Sequence, residues 1–327
     1  MLRSVSILGC RFVLRPFVAV VSLSLFAVGA AGSAAEPAGV YTAEIIEESP
    51  NLAAGGMAWW KDRLIIADRG GKRLVAHTPP DKFETLREGL VPCGVATDRD
   101  GNLVVIERDP NRILCIKEDG TSSVIAEENV GTPQFVTVHK SGRVCWSGFP
   151  SGGTRSVMPG GAVEVHSPTI GHSYGIGLSP KQDWLYVSSK LPHADGRAVW
   201  RFPCAEDGTI GKGEAFFKLP DLKPQLENLP PAQDGGETLL GWVGRLQGLA
   251  VDRLGNVYIA GAEGHTSGEA VAVVSPDGKK VVAMILGVPR NVSGLAFGGP
   301  DGRTLYITGA GQYRLRRVLL PTPGAGW

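Results

Sequence analysis

The chain has 327 residues, of which 43% are hydrophobic and 20% charged, with a net charge of +1. That balance is ordinary for a soluble globular protein, and the lack of any long basic run removes the electrostatic footprint of a nucleic-acid-binding chain. Gly at 45 and Pro at 23 are high, as many tight turns require.

The first 35 residues read as a secretory signal peptide. Arg3, Arg11 and Arg15 form a positive region, Phe17 to Ala31 is an apolar run, and Ser33 and Ala35 are small residues ahead of Glu36. The run is short for a membrane span. An uncleaved anchor is the alternative. Cleavage near Ala35 implies a periplasmic or secreted mature chain, with no stable membrane span, forming one domain over residues 36–327.

After a lone strand, YTAEIIEE from Tyr41 to Glu48, one phrase recurs six times: an apolar run, a polar turn and a second apolar run. The copies are GMAWWKDRLIIAD from Gly56, GVATDRDGNLVVIE from Gly94, FVTVHKSGRVCWSG from Phe135, GIGLSPKQDWLYVS from Gly175, GLAVDRLGNVYIAG from Gly248 and GLAFGGPDGRTLYITG from Gly294. Successive starts lie 38, 41, 40, 73 and 46 residues apart. A period near forty with several short strands per unit predicts an all-β fold, a six-bladed β-propeller with four antiparallel strands per blade. One unit cannot bury both its faces, but a ring of them can. In the second unit the strands read GVATD, NLVVIER, RILCIK and SSVIAEE, with turns at Asp100-Gly101 and Asp119-Gly120. The sixth unit ends one strand short, so the N-terminal strand is expected to pair into it and close the ring. The longest spacing holds a Pro-rich insertion at residues 219–242, read as a surface loop or lid, or as a solvated insertion without a role.

Cys93, Cys115, Cys145 and Cys204 remain in the mature chain. Export permits disulfides, with three possible pairings; buried free thiols are equally compatible. None is spaced as a zinc ligand pair.

LSPKQDWLYVSS, GLAVDRLGNVYIAG and especially LAFGGPDGRTLYITG resemble the SMP-30/gluconolactonase/LRE-like family, over roughly Ala43 to Leu320. The resemblance implies a six-bladed propeller. It also implies hydrolysis of sugar lactones with one divalent metal in the central channel. The family's chemistry sits just before the recurring turn, which here selects Gly55, Cys93, Gln134, Tyr174, Gln247 and Ser293. Where the family usually carries glutamate, asparagine and aspartate, this chain has Gly55, Tyr174 and Gln247; an Asn-Asp pair is replaced by Gln134-Phe135. A hard dication wants anionic oxygen ligands, so a calcium, zinc or magnesium site of the family's kind is disfavoured and no metal ligands are assigned.

The resulting expectation is a lactone or ester hydrolase for a small sugar-derived substrate. Tyr174, Gln247 and His172 surround the reacting carbonyl, with His172 two residues from Tyr174 and suited to general-base work. Gln134, Cys93, Ser293 and Trp146 contact the remainder of the substrate; Trp242 is a second pocket candidate. The alternative is a non-catalytic propeller that binds a small ligand or a protein at the channel mouth. Asp68-Arg69, Glu107-Arg108-Asp109, Glu263 and His265 read first as hairpin caps or rim ion pairs. Ser147 and Ser188-Ser189 lack a nucleophile elbow. Ser151 to Ser156, SGGTRS, lacks the context of a phosphate loop.

Overall fold

Successive side chains of a strand point to opposite faces, so near-continuous apolar runs such as Leu64 to Ala67 and Leu103 to Ile106 bury both. In a ring of sheets both faces are needed. The computed structural model describes residues 35–148, 153–166, 173–189, 198–218, 221, 225, 245–262, 270–311 and 313–326. Nearly all of the segment read as a signal peptide, most of the Pro-rich insertion, Trp242, Glu263, His265 and His172 lie outside the described residues.

Two N-terminal strands, β1 (Gly39–Thr42) and β2 (Glu44–Ile45), precede six sheets. Blade one is β3 (Ala54–Trp60), β4 (Arg63–Asp68), β5 (Arg73–Thr78) and β6 (Lys82–Glu88). Blade two is β7 (Pro92–Thr97), β8 (Leu103–Arg108), β9 (Asn111–Ile116) and β10 (Ser122–Ala126). Blade three is β11 (Pro133–Val138), β12 (Val144–Gly148), β13 (Thr154–Val157) and β14 (Glu164–Val165). Blade four is β15 (Ser173–Leu178), β16 (Trp184–Ser189), β17 (Ala198–Pro203) and β18 (Glu214–Lys218). Blade five is β19 (Arg245–Val251), β20 (Val257–Ala262), β21 (Ala270–Val274) and β22 (Val281–Leu286). Blade six is β23 (Val292–Gly298), β24 (Thr304–Gly309) and β25 (Arg316–Leu319), completed by β2.

The closure differs from the single strand expected at Tyr41 to Glu48. The segment divides between two blades. β1 adds a parallel fifth strand to blade five, beside β22, and β2 alone pairs antiparallel with β25. Ala43 N donates to Leu286 O at 2.8 Å and the Ala43 side chain is buried, which pins the chain where it crosses between sheets. Glu47, which follows β2, pairs with Arg314 on the rim.

Among the described residues the core forms six clusters, one between each pair of neighbouring blades. On β8, Leu103 and Val105 face blade one, while Val104 and Ile106 face blade three. On β20, Val257 and Ile259 face blade four, while Tyr258 and Ala260 face blade six. The first hairpins are built alike. In DRDGN, Asp98 Oδ1 accepts from Asn102 N at 2.8 Å; in DRLGN, Asp252 Oδ1 accepts from Asn256 N at 2.9 Å. Among the described residues no helix is long and apolar enough to cross a membrane.

Candidate functional site at the channel mouth

Each inner strand carries a β-bulge near one end. Register shifts between Ala54 and Met57, Pro92 and Gly94, Pro133 and Val136, Ser173 and Ile176, Leu246 and Leu249, and Val292 and Gly294. All six channel positions read from the sequence fall inside these shifts. A bulge adds an unpaired residue and re-aims its side chain. Gly55, Cys93, Gln134, Tyr174, Gln247 and Ser293 accordingly line one cavity of about 220 Å³, together with Arg69, Gly70 and Phe135.

The bulges bring neighbouring backbones close, which explains the recurring glycine. A Cβ on Gly94 would meet Gln134 O at 2.8 Å, and one on Gly248 would meet Ser293 O at 2.7 Å. Hydroxyls fill the remaining polar gaps. Ser188 Oγ accepts from Gly175 N at 2.8 Å and donates to Gln247 O of the next blade at 2.7 Å. Ser147 Oγ accepts from Phe135 N at 3.2 Å. These serines are structural clasps of the ring, in keeping with their lack of a nucleophile elbow.

The predicted site residues now separate by role. Ser293 Oγ spends its proton on Ala54 O at 2.7 Å, tying blade six to blade one, and keeps only acceptor capacity for a ligand. Gln134 and Gln247 project carboxamides that hydrogen-bond to no protein group among the described residues. Tyr174 lines the same wall. Burial pushes the Cys93 thiol up from its ordinary value, against the opposing pull of Arg108 and Arg69. Trp146 is not brought to the cavity. It is 0% exposed, packs in the seam between blades two and three, and its Nε1 donates to Val130 O at 3.0 Å. It sits on β12, one strand out from the axis, where inter-blade packing claims its whole surface.

Arg69 and Arg108, which read first as hairpin caps or rim ion pairs, stand instead beside this cavity, Arg69 in its lining and Arg108 close enough to act on the Cys93 thiol. The usable signal was the repeated spacing of charges around them. Among the described residues Cys93, Cys115, Cys145 and Cys204 are all free, so the open question of their pairing resolves to thiols. Further along the axis, Met57, Val95, Val136, Ile176, Leu249 and Leu295 ring a second cavity of about 480 Å³, whose lining also carries Thr97, Thr137, Ser179 and Gln182 and borders on Gly324 to Gly326.

The mouth does not fit a hard dication. Position 55 has no room for a ligand side chain, because a Cβ there would collide with Cys93 O. The rest of the ring offers a thiol, two amides, a phenol and a hydroxyl, with guanidiniums beside them. Among the described residues no three His, Cys, Asp or Glu side chains gather as a metal site. Anionic oxygen supplies most of the affinity for calcium or magnesium, and nearby cations oppose it.

A protein-family model described as the SMP-30/Gluconolactonase/LRE-like region matches residues 129–311. The pentonolactonase XacC of Haloferax volcanii is 25% identical over 277 residues, covering 82% of this chain and 84% of that protein. The 6-deoxy-6-sulfogluconolactonase of Pseudomonas putida is 30% identical over 164 residues, 50% of this chain and 47% of that one. Among solved structures, the gluconolactonase XC5397 of Xanthomonas campestris superposes with a TM-score of 0.66 at 20% identity, covering 90% of this chain and 99% of that one. The calcium-binding protein regucalcin of Agrobacterium tumefaciens strain C58 gives 0.66 at 18%, covering 89% and 97%. These two likenesses speak to the fold.

Proposed function

The chain belongs to the SMP-30/gluconolactonase/LRE-like family, and from that premise we propose that its channel mouth hydrolyses a small sugar-derived lactone or related ester. The observation that carries the reading is the convergence of six bulged strands on one cavity that presents Gln134, Tyr174, Gln247 and Ser293, in a chain similar to lactonases. In this reading the Gln247 carboxamide and the Tyr174 phenol donate to the carbonyl oxygen as it gains charge, the role of an oxyanion hole. His172 takes the proton of the attacking water. Gln134 and the Cys93 wall position the ring, and Ser293 holds the wall. The signal segment implies export to the periplasm or beyond, so the substrate is met outside the cytoplasm.

A second reading has its own support. The described cavity lining contains no carboxylate and no imidazole, which suits a propeller that binds a ligand without converting it. Kinetics on the mature chain from Glu36 separate the two. The hydrolase reading expects lactone opening above the spontaneous rate. It also expects kcat to fall about 100-fold or more in His172→Ala, with Gln247→Leu lowering kcat more than it raises KM. Turnover that is absent, or that ignores both substitutions, would reject it in favour of a binding propeller or another site.

A further inference from the structure

Two hairpins carry the same phrase. Blade one reads Asp68-Arg69-Gly70-Gly71-Lys72-Arg73, and blade two reads Glu107-Arg108-Asp109-Pro110-Asn111-Arg112. In both, the acid bonds to the second arginine. Arg73 Nε donates to Asp68 Oδ2 at 3.0 Å, and Arg112 Nε to Glu107 Oε2 at 2.6 Å. Both acids are buried, and Asp68 Oδ1 also accepts from Ala53 N at 3.2 Å and Gly71 N at 3.1 Å. Carboxylates committed in this way have little left for the neighbouring guanidinium.

The first arginine of each phrase is left over. Among the described residues no carboxylate pairs with Arg69 or Arg108. Arg108 Nη1 is buried and makes no hydrogen bond. Arg69 lines the cavity, and Arg108 stands behind its wall, where both guanidiniums act on the Cys93 thiol. A buried donor without a partner is costly, and two like charges beside one small cavity repel. An anion in the cavity relieves both. Guanidinium is the side chain best shaped for the two oxygens of a carboxylate or for a tetrahedral oxyanion.

We propose that the channel mouth is an oxyanion-binding site, in which Arg69 and Arg108 grip a carboxylate, sulfonate or phosphate of a small polyhydroxylated ligand while Gln134 and Gln247 meet its hydroxyls. The proposal rests on the reading of the mouth as the ligand site. The anion has two sources: a charged substituent on the intact ring, or the carboxylate that ring opening releases.

Calorimetric titration of the mature chain at low salt tests it with four probes. These are gluconate with its neutral counterpart sorbitol, and methyl glucuronide with methyl glucoside. At least one acid should bind about tenfold or more tightly than its neutral partner. The preference should weaken as salt rises, vanish in Arg69→Gln or Arg108→Gln, and persist in part in the lysine variants, which keep the charge and guard against a folding defect. Preference for gluconate alone assigns the ring-opened acid; preference for the glucuronide assigns the substituent. Equal binding of acids and neutral partners, or a preference that survives both glutamine variants, overturns the proposal. Binding needs no turnover. Acid-selective binding without lactonase activity would sink the hydrolase reading alone, and lactonase activity without acid preference would sink this one alone.

Discussion

His77 shows how the ring uses a titratable residue as a packing piece. It is 0% exposed on β5, stacks on Phe83 at 4.4 Å between ring centroids, and meets Tyr306 of blade six edge-on at 5.7 Å. Burial, with a smaller push from Arg317, lowers its pKa to about 4 from the ordinary 6.5. In the unfolded chain the imidazole takes up a proton as pH falls below about 6.5, whereas the folded chain refuses it until about 4. Stability therefore falls with pH across that window, by on the order of 3 kcal/mol in total. Urea midpoints at pH 7.5 and 4.5 should differ less in His77→Phe than in the parent; an equal difference would show that other groups carry the acid sensitivity. The site residues were legible to the same depth. Gly55, Cys93, Gln134, Tyr174, Gln247 and Ser293 could be chosen from the sequence because the family resemblance puts its chemistry just before each recurring turn, and the bulges bring those positions to one cavity. Arg69 and Arg108 were not, because adjacent opposite charges read as a pair. Only the hairpin geometry shows that each acid turns to the arginine five residues on.

The closing element was legible in kind but not in detail. A blade one strand short at the C-terminus announces that the N-terminus must supply the fourth, and β2 does so. The division of the segment between two blades was hidden, since parallel addition of β1 beside β22 leaves no periodicity of its own in four residues. The closure is thin. It consists of the pairs Glu44↔Arg317 and Ile45↔Arg316, the Glu44–Arg317 ion pair at 2.7 Å, the Glu47–Arg314 ion pair, Ile46 N donating to Leu315 O at 2.9 Å, Leu315 N donating to Ser49 Oγ at 2.9 Å, and the bridge from Leu52 to Tyr313. Deleting residues 36–48 uncovers the edges of β25 and β22, and bare edges template association. Size-exclusion chromatography should show concentration-dependent oligomers, and the melting temperature should drop by several degrees. A monomer that melts like the parent would mean that the inter-blade seams alone hold the ring.

At the scale of the whole molecule, six seams of apolar side chains carry the fold, and they leave the axis free to vary. One end of the axis presents Gln134, Tyr174, Gln247 and Arg69; the other presents Thr97, Thr137, Ser179 and Gln182 and is bordered by Gly324 to Gly326. The ring was legible because its period is repeated six times, and the family follows from the matching region at residues 129–311. The chemistry was less legible, because the positions at the mouth depart from the acidic set that the resemblance implied. The proposed chemistry follows from that departure: lactone opening by side chains without a divalent metal. The direct test is the rate of sugar-lactone opening by the mature chain in excess chelator, then after return of calcium, zinc or magnesium, each corrected for spontaneous opening. The expected rate is above background and unchanged by either step. A rate that collapses with chelator and returns with a metal would contradict it.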